Sequence, residues 1–208
     1  MPKHVLVLCQ RKSSVKDTSV QEIVVPSISN YVQQCLGTDT TIEYLTNGVL
    51  RDKYEDFEAD YKFALDNSRE SLDFIENHKE CYSLIILNTC PLIFMNYKQI
   101  YDLLEPNGIM TFKMFSTVFK TGNFPSEEKT NALNLLKNKG KLEEIEKLFE
   151  EVDEEENFGS FVYKKKDIIG GKQKRKLKKT VNNKKRKHKQ TRVLTIKKHK
   201  HTILRNKK

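Results

Sequence analysis

Two short polar segments, each following an apolar run, hold the residues best suited to chemistry. The first is Gln10–Arg11–Lys12–Ser13–Ser14, after the apolar run His4–Cys9. Cationic side chains and hydroxyl donors leading toward a helix can hold an anion. Gln10, Arg11, Ser13 and Ser14 are therefore the candidate contacts for a cofactor or phosphate. The segment has no glycine, and neither G-x-G-x-x-G nor G-x-x-x-x-G-K-[ST] occurs, so close backbone approach to a pyrophosphate is not provided for. Cys9 does not open a C-x5-R loop, because Val15 follows the five-residue spacer. The second segment is Asn88–Thr89–Cys90–Pro91, after Tyr82–Leu87. Asn88 can hydrogen-bond a base or an amine and is the candidate catalytic residue. Cys90 as a nucleophile would need a base, and His78 stands too few residues upstream, at a helix end. Thr46–Asn47–Gly48 offers turn chemistry, Glu43 lies inside a strand, and Lys113 with Ser116 and Thr117 offers a charge and hydroxyls.

The remaining chemistry-bearing types point to no metal. Cys9, Cys35, Cys81 and Cys90 have no C-x-x-C spacing, and with the five histidines they assemble no zinc ligand set. Cys9, Cys35 and Cys90 stand beside apolar residues and read as buried, reduced thiols. Met1–Pro2–Lys3–His4 leads into only five apolar residues, and no apolar run approaches the ~20 that a membrane span needs. The expectation is a soluble protein in a reducing, intracellular setting.

The elements that position these segments follow from periodicity. His4–Cys9 reads as a parallel strand buried on both faces. Apolar positions from Val20 to Cys35 recur at three and four, giving a helix over Ser19–Leu36 with Pro26 as a kink or late start and Gly37 as its stop. Thr41–Leu45 is a second strand, and 49–60 a charged loop. Tyr61–Phe74 repeats the helical spacing, Tyr82–Leu87 is the most apolar strand, and Tyr97–Leu104 is the next helix. Glu105–Pro106–Asn107–Gly108 ends that helix, with Gly108 supplying a positive φ, and Ile109–Phe115 is the fourth strand. A long amphipathic helix, open to a break near Gly140, covers Glu127–Val152, with Glu150–Glu156 as a solvated acidic face. Phe158–Tyr163 is a last strand. The pattern predicts an α/β fold: a Rossmann-like, three-layer open sheet, mostly parallel, over residues 1–168.

The stretch Tyr82–Phe115 (YSLIILNTCPLIFMNYKQIYDLLEPNGIMTFKMF) resembles the later half of class I S-adenosylmethionine-dependent methyltransferases. There a hydrophobic strand ends in a polar catalytic loop, a helix follows, and a phrase like LLKPGG leads into the next strand. Here the phrase is Leu103–Leu104–Glu105–Pro106–Asn107–Gly108. Phe158–Lys166 is similar to the family's final strand, and Asn88 with Pro91 loosely resembles the N-P-P-Y loop of amino-group methyltransferases. The resemblance implies S-adenosylmethionine as a cofactor, held by Arg11, Ser13 and Ser14, with Asn88 orienting the acceptor. The sequence departs from the family after the first strand. Cys9–Gln10–Arg11–Lys12 stands where an acidic residue and a glycine-rich turn belong, and the acidic ribose ligand after the second strand is missing. The alternative is a non-catalytic α/β module, and a nucleotide- or anion-binding domain of flavodoxin-like topology is a third possibility. A methyltransferase needs a late antiparallel strand beside the sheet.

Charge divides the chain. The formal net charge is +10, yet residues 171–208 hold 18 Lys and Arg and no Asp or Glu, so 1–170 is acidic. Beyond Gly170–Gly171 there is no Phe, Tyr or Trp, and too little apolar surface to offset ordering entropy. Residues 169–208 read as a disordered tail that binds nucleic acid or another polyanion through Lys174, Arg175, Lys176, Lys178, Lys179, Lys184, Lys185, Arg186 and Lys187. Lys174–Lys179 and Lys184–Lys189 also suit nuclear import. The tail resembles, in style, the Gly-Gly-Lys, Lys/Arg-rich endings of many large DNA virus proteins, which implies a nucleus or virion.

Overall fold

The computed structural model describes residues 2–14, 18–47, 57–152 and 161–167. The chain divides into two units, Met1–Asp167 and Ile168–Lys208. The second unit lies outside the described residues, and with it the expected basic contacts from Lys174 to Lys187.

In chain order the strands are β1 (Lys3–Leu8), β2 (Ser13–Ser14), β3 (Thr40–Leu45), β4 (Phe57–Glu58), β5 (Tyr82–Asn88), β6 (Leu104–Lys113), β7 (Phe149–Val152) and β8 (Val162–Lys165). The helices are α1 (Val25–Leu36), α2 (Arg69–Asn77), α3 (Tyr97–Leu103), α4 (Ser126–Asn138) and α5 (Lys141–Leu148). Six strands form one sheet in the order β3–β1–β5–β6–β8–β7, and β2 pairs with β4 in a separate antiparallel ribbon. The pairs β1/β3, β1/β5 and β5/β6 are parallel, and β8 runs antiparallel to both β6 and β7. The expected α/β fold with a mostly parallel sheet is observed. No helix of the described residues is long and apolar enough to cross a membrane.

Burial on both faces explains the apolar runs. All seven residues of β5 and the last four of β1 are buried, because helices cover the sheet on each side. One face packs Val5, Val7, Leu84 and Ile86 under Ile28 and Val32 of α1. The opposite face packs Leu6, Leu8, Ile85 and Leu87 in one cluster with Phe74, Ile100, Leu136 and Ile145 of α2 to α5. Gly37 ends α1 with φ 87, as expected. Pro26 stands in the first turn of α1, preceded by a π-helical turn over Val20–Val24, so it marks a late start.

Four expectations about elements are corrected. The helix read over Tyr61–Phe74 begins only at Arg69, because the Ser68 side chain caps it by accepting from Ser71 N–H. Before it only Tyr61 lies along the sheet edge, in an isolated parallel bridge to Leu45: its N–H donates to the Tyr44 carbonyl and its own carbonyl accepts from Thr46 N–H. The long helix over Glu127–Val152 breaks at Gly140, as expected, with a left-handed φ of 67, but its last turn is strand β7 instead. Near the start of β6, Asn107 takes the left-handed conformation (φ 64), not Gly108. Gly108 answers a steric need: a Cβ there would stand 2.9 Å from the Glu105 carbonyl oxygen and 3.1 Å from that of Tyr82. The last strand is Val162–Lys165, and 158–160 lie outside the described residues.

Candidate functional site

Connections from β1 lead to β3 on one side and, later, to β5 on the other, so the strand order reverses between β1 and β5. In open α/β sheets a crevice forms beyond the carboxyl ends at such a point. Both candidate segments converge there. Asn88, at the end of β5, is fully buried. Its amide nitrogen donates to Gln10 Oε1 at 2.8 Å and to the Phe115 carbonyl at 3.3 Å. Its Oδ1 accepts from Phe115 N–H at 2.6 Å. Thr89 N–H donates to the Lys113 carbonyl at 2.8 Å, which ties the ends of β5 and β6 a second time. A buried amide must meet its hydrogen-bonding capacity within the protein, and Asn88 does so by joining three strand ends.

Cys9 and Cys90 also meet there, and the expectation of reduced thiols at these two positions is overturned. They form a disulfide with Cα atoms 5.4 Å apart, linking chain positions 81 residues apart. The reason is geometric: Cys9 follows β1 and Cys90 follows β5, and these strands are neighbours in parallel register, Leu8 opposite Leu87. Cys35 and Cys81 lie outside the bridge. His78 is no partner for Cys90. It caps α2 at the amino end of β5, stacked on Phe74, with Nδ1 2.9 Å from the Phe74 carbonyl.

The other expected contacts divide. Gln10 is brought to Asn88 and is itself buried, its Nε2 donating to the Arg11 carbonyl. Ser13 and Ser14 are carried instead into the ribbon with Glu58 and Phe57. Lys12 is ion-paired with Asp60 and its N–H donates to the Glu58 carbonyl. The segment after β1 is therefore a short strand rather than a turn opening onto a helix. Glu43 accepts from the Tyr82 hydroxyl at 2.7 Å and the Tyr61 hydroxyl at 3.3 Å.

Two features escaped the sequence. Asn47, beyond β3, donates to Cys9 Sγ at 3.8 Å and to Met95 Sδ at 3.2 Å, and its Oδ1 accepts from Leu65 N–H at 2.9 Å. It stands between the disulfide and an open depression of about 380 Å³ lined by residues 65–67 and 94–96 with Lys141 and Glu144. Phe94, at its rim, is 78% exposed. The only signal in the sequence for Cys9–Cys90 is that each cysteine directly trails an apolar strand.

Lys113, at the end of β6, is buried. Its Nζ donates to Asn123 Oδ1 at 3.0 Å and lies 4.4 Å from the centroid of the Tyr31 ring. Burial lowers its ammonium to about 8, opposed in part by the neighbouring Cys35 thiol, whose own ionisation burial pushes up. Below that value the folded state bears the cost of a buried charge. As pH rises through it toward the 10.5 of an ordinary lysine, the folded state sheds its proton first and stability increases. Between pH 7 and 9 the expected gain is about 1 kcal/mol. It is read as the difference between urea unfolding of the wild type and of Lys113→Met, because Cys35 and Tyr31, both raised, oppose it at higher pH. A difference that stays flat from pH 7 to 9 contradicts a buried ammonium.

No protein-family model matches the sequence, and neither a curated protein nor a solved structure shows a significant match to it.

Proposed function

We propose that the folded unit is a Rossmann-like module that has lost, or never had, a cofactor site, and that the Lys/Arg-rich segment 171–208 ties it to nucleic acid. One observation carries the non-catalytic reading: protein groups fill the crevice between the β1 and β5 ends. Cys9–Cys90 spans it covalently, and Gln10, Asn88 and Phe115 knit its floor. A ligand at the strand ends would have to displace hydrogen bonds that are fully made. The segment after β1 also lacks the glycines that let a backbone approach a pyrophosphate. The nucleic-acid half rests on charge: 18 cationic side chains in 38 residues, with no acidic residue among them. Binding of this kind releases condensed counterions and reads the backbone rather than the bases. The test is binding of the full chain to duplex and single-stranded nucleic acid across a range of salt. Affinity that falls steeply with salt and varies little with sequence supports the proposal, and salt-insensitive binding, or none, opposes it.

A second reading is favoured by one observation. β8 runs antiparallel beside an otherwise parallel set, between β6 and β7. That is the late antiparallel strand a class I methyltransferase needs, and it weighs against a flavodoxin-like topology. On this reading Gln10, Arg11, Ser13 and Ser14 line a divergent S-adenosylmethionine site and Asn88 orients the acceptor. The committed amide of Asn88 makes it the weaker of the two.

A further inference from the structure

Among the described residues, three that follow parallel strands of the sheet adopt left-handed backbone conformations without being glycine: Cys9 (φ 63), Asn47 (φ 52) and Thr89 (φ 53). Cys9 and Thr89 immediately follow β1 and β5, and Asn47 is the second residue beyond β3. A β-branched residue such as Thr89 is unfavourable there, and such conformations persist only where the surroundings enforce them. Cys9–Cys90 is one of those enforcing links, since it fixes both loops at once. The parallel ladder behind it is complete without it. Val5 to Leu8 pair with Leu84 to Leu87, and all eight residues are fully buried. The bridge therefore holds the loops and leaves the sheet to hold itself.

Of the two bridged residues only Cys90 is buried. Cys9 is part-exposed, and Cys90 lies between the exposed Thr89 and Pro91. Asn47 then links the bridge to the depression, touching Cys9 Sγ with the same amide nitrogen that touches Met95 Sδ, while its oxygen fixes Leu65. Met95 and Leu65 are walls of that depression. A change at the disulfide thus reaches the depression through one side chain.

We propose that Cys9–Cys90 is a reversible redox staple, whose reduction frees the loops after β1, β3 and β5 and reshapes the depression beside Asn47. The reductant is a dithiol. One of its thiolates attacks Cys9 Sγ, the sulfur–sulfur bond breaks, and Cys90 departs as a thiolate that takes a proton from water. The second thiolate attacks the mixed disulfide, releasing Cys9 as a thiol and leaving the reductant as its own disulfide. Two electrons pass to the protein. The released backbone relaxes from the left-handed conformation at Cys9 and Thr89, which favours opening.

The experiment uses the full native chain, first equilibrated with oxidised glutathione and then treated with dithiothreitol. Differential alkylation with peptide mass analysis reads the state of each cysteine, and amide hydrogen exchange reads the backbone. Cys9 and Cys90 are expected to resist alkylation after oxidation and to react after reduction, with unchanged circular dichroism. Exchange is expected to rise at least tenfold at residues 9–12, 46–47 and 89–95 and to stay constant at 5–8 and 84–87. Oxidised glutathione should restore the starting pattern, and the double variant Cys9→Ser/Cys90→Ser should resemble the reduced protein. Failure of the pair to form in oxidised glutathione overturns the proposal. So does a bond that yields only in denaturant, a rise in exchange that spreads through both strands, or no rise at all. None of these readouts involves nucleic acid, so failure here leaves the role proposed for 171–208 standing.

Discussion

Replacing Lys174, Arg175, Lys176, Lys178, Lys179, Lys184, Lys185, Arg186 and Lys187 by Gln is expected to weaken nucleic-acid binding by the full chain at least a hundredfold at about 0.1 M salt. These nine are half of the 18 cationic residues after position 170, and their removal takes the formal net charge from +10 to +1. The expectation follows from counterion release: each phosphate engaged on duplex DNA contributes about −0.9 to the slope of log affinity against log salt. If about half of the nine engage phosphates together, the slope becomes shallower by about 4. Loss should be similar for unrelated sequences, because no Phe, Tyr or Trp in the segment offers a base a stacking surface. The acidic remainder of the chain provides no substitute electrostatic surface. Fluorescence anisotropy at several salt concentrations measures both numbers. Equal affinity and equal slope for the variant and the wild type would place binding elsewhere.

Asn88→Ala is expected to destabilise the folded unit by about 3–5 kcal/mol, a large share of the ~5–15 kcal/mol of a typical domain. The side chain makes three hydrogen bonds at a position with no solvent access. Its removal strands Phe115 N–H and Gln10 Oε1 without their partner, and water cannot replace it without opening the strand ends. Each unsatisfied buried group costs about 1–3 kcal/mol, and the truncated side chain leaves a void as well. Asn88→Asp keeps an acceptor for Phe115 N–H but loses both donors and buries a carboxyl, so it too should destabilise. Urea unfolding measures the loss. A decrease under about 1 kcal/mol for Asn88→Ala would mean that the amide is not a structural clamp, and would return it to the list of groups free to meet a ligand.

The parts of the fold that are legible in the sequence are those decided locally. His4–Cys9 and Tyr82–Leu87 are continuous apolar runs, and both become central strands buried on each face. Gly37 stops α1 because no side chain contests its positive φ. The failures are cases where a distant partner decides. Phe63 and Leu65 are buried on a bending segment that follows the Tyr61 bridge to β3, whereas only the apolar positions from Leu72 onward carry their helical spacing into a helix. Ser68 was the local signal that the helix begins later. Glu150 and Glu151 read as continuation of a Glu- and Lys-laced helix. They instead sit exposed on edge strand β7, opposite Lys164 and Tyr163 of β8, and only that pairing makes them strand.

The site divides in the same way. Asn88 and Gln10 stand out in sequence as polar residues after apolar strands, and the structure joins them directly. Their bonding to each other was invisible, because it depends on β1 and β5 being neighbours. The same neighbour relation brings Cys9 to Cys90, which no spacing rule anticipates across 81 residues. Asn47 looked like a turn residue and is one, with φ 52, but its side chain links sulfur atoms from two other loops.

The most direct measurement is calorimetric titration of the full chain with S-adenosylmethionine and S-adenosylhomocysteine, in oxidised and dithiothreitol-reduced form. A crevice filled by Cys9–Cys90 and the Asn88 network predicts no saturable heat with either compound in either state. Saturable one-to-one binding, weakened by Ser13→Ala, would contradict it and establish a cofactor site at the ends of β1 and β5.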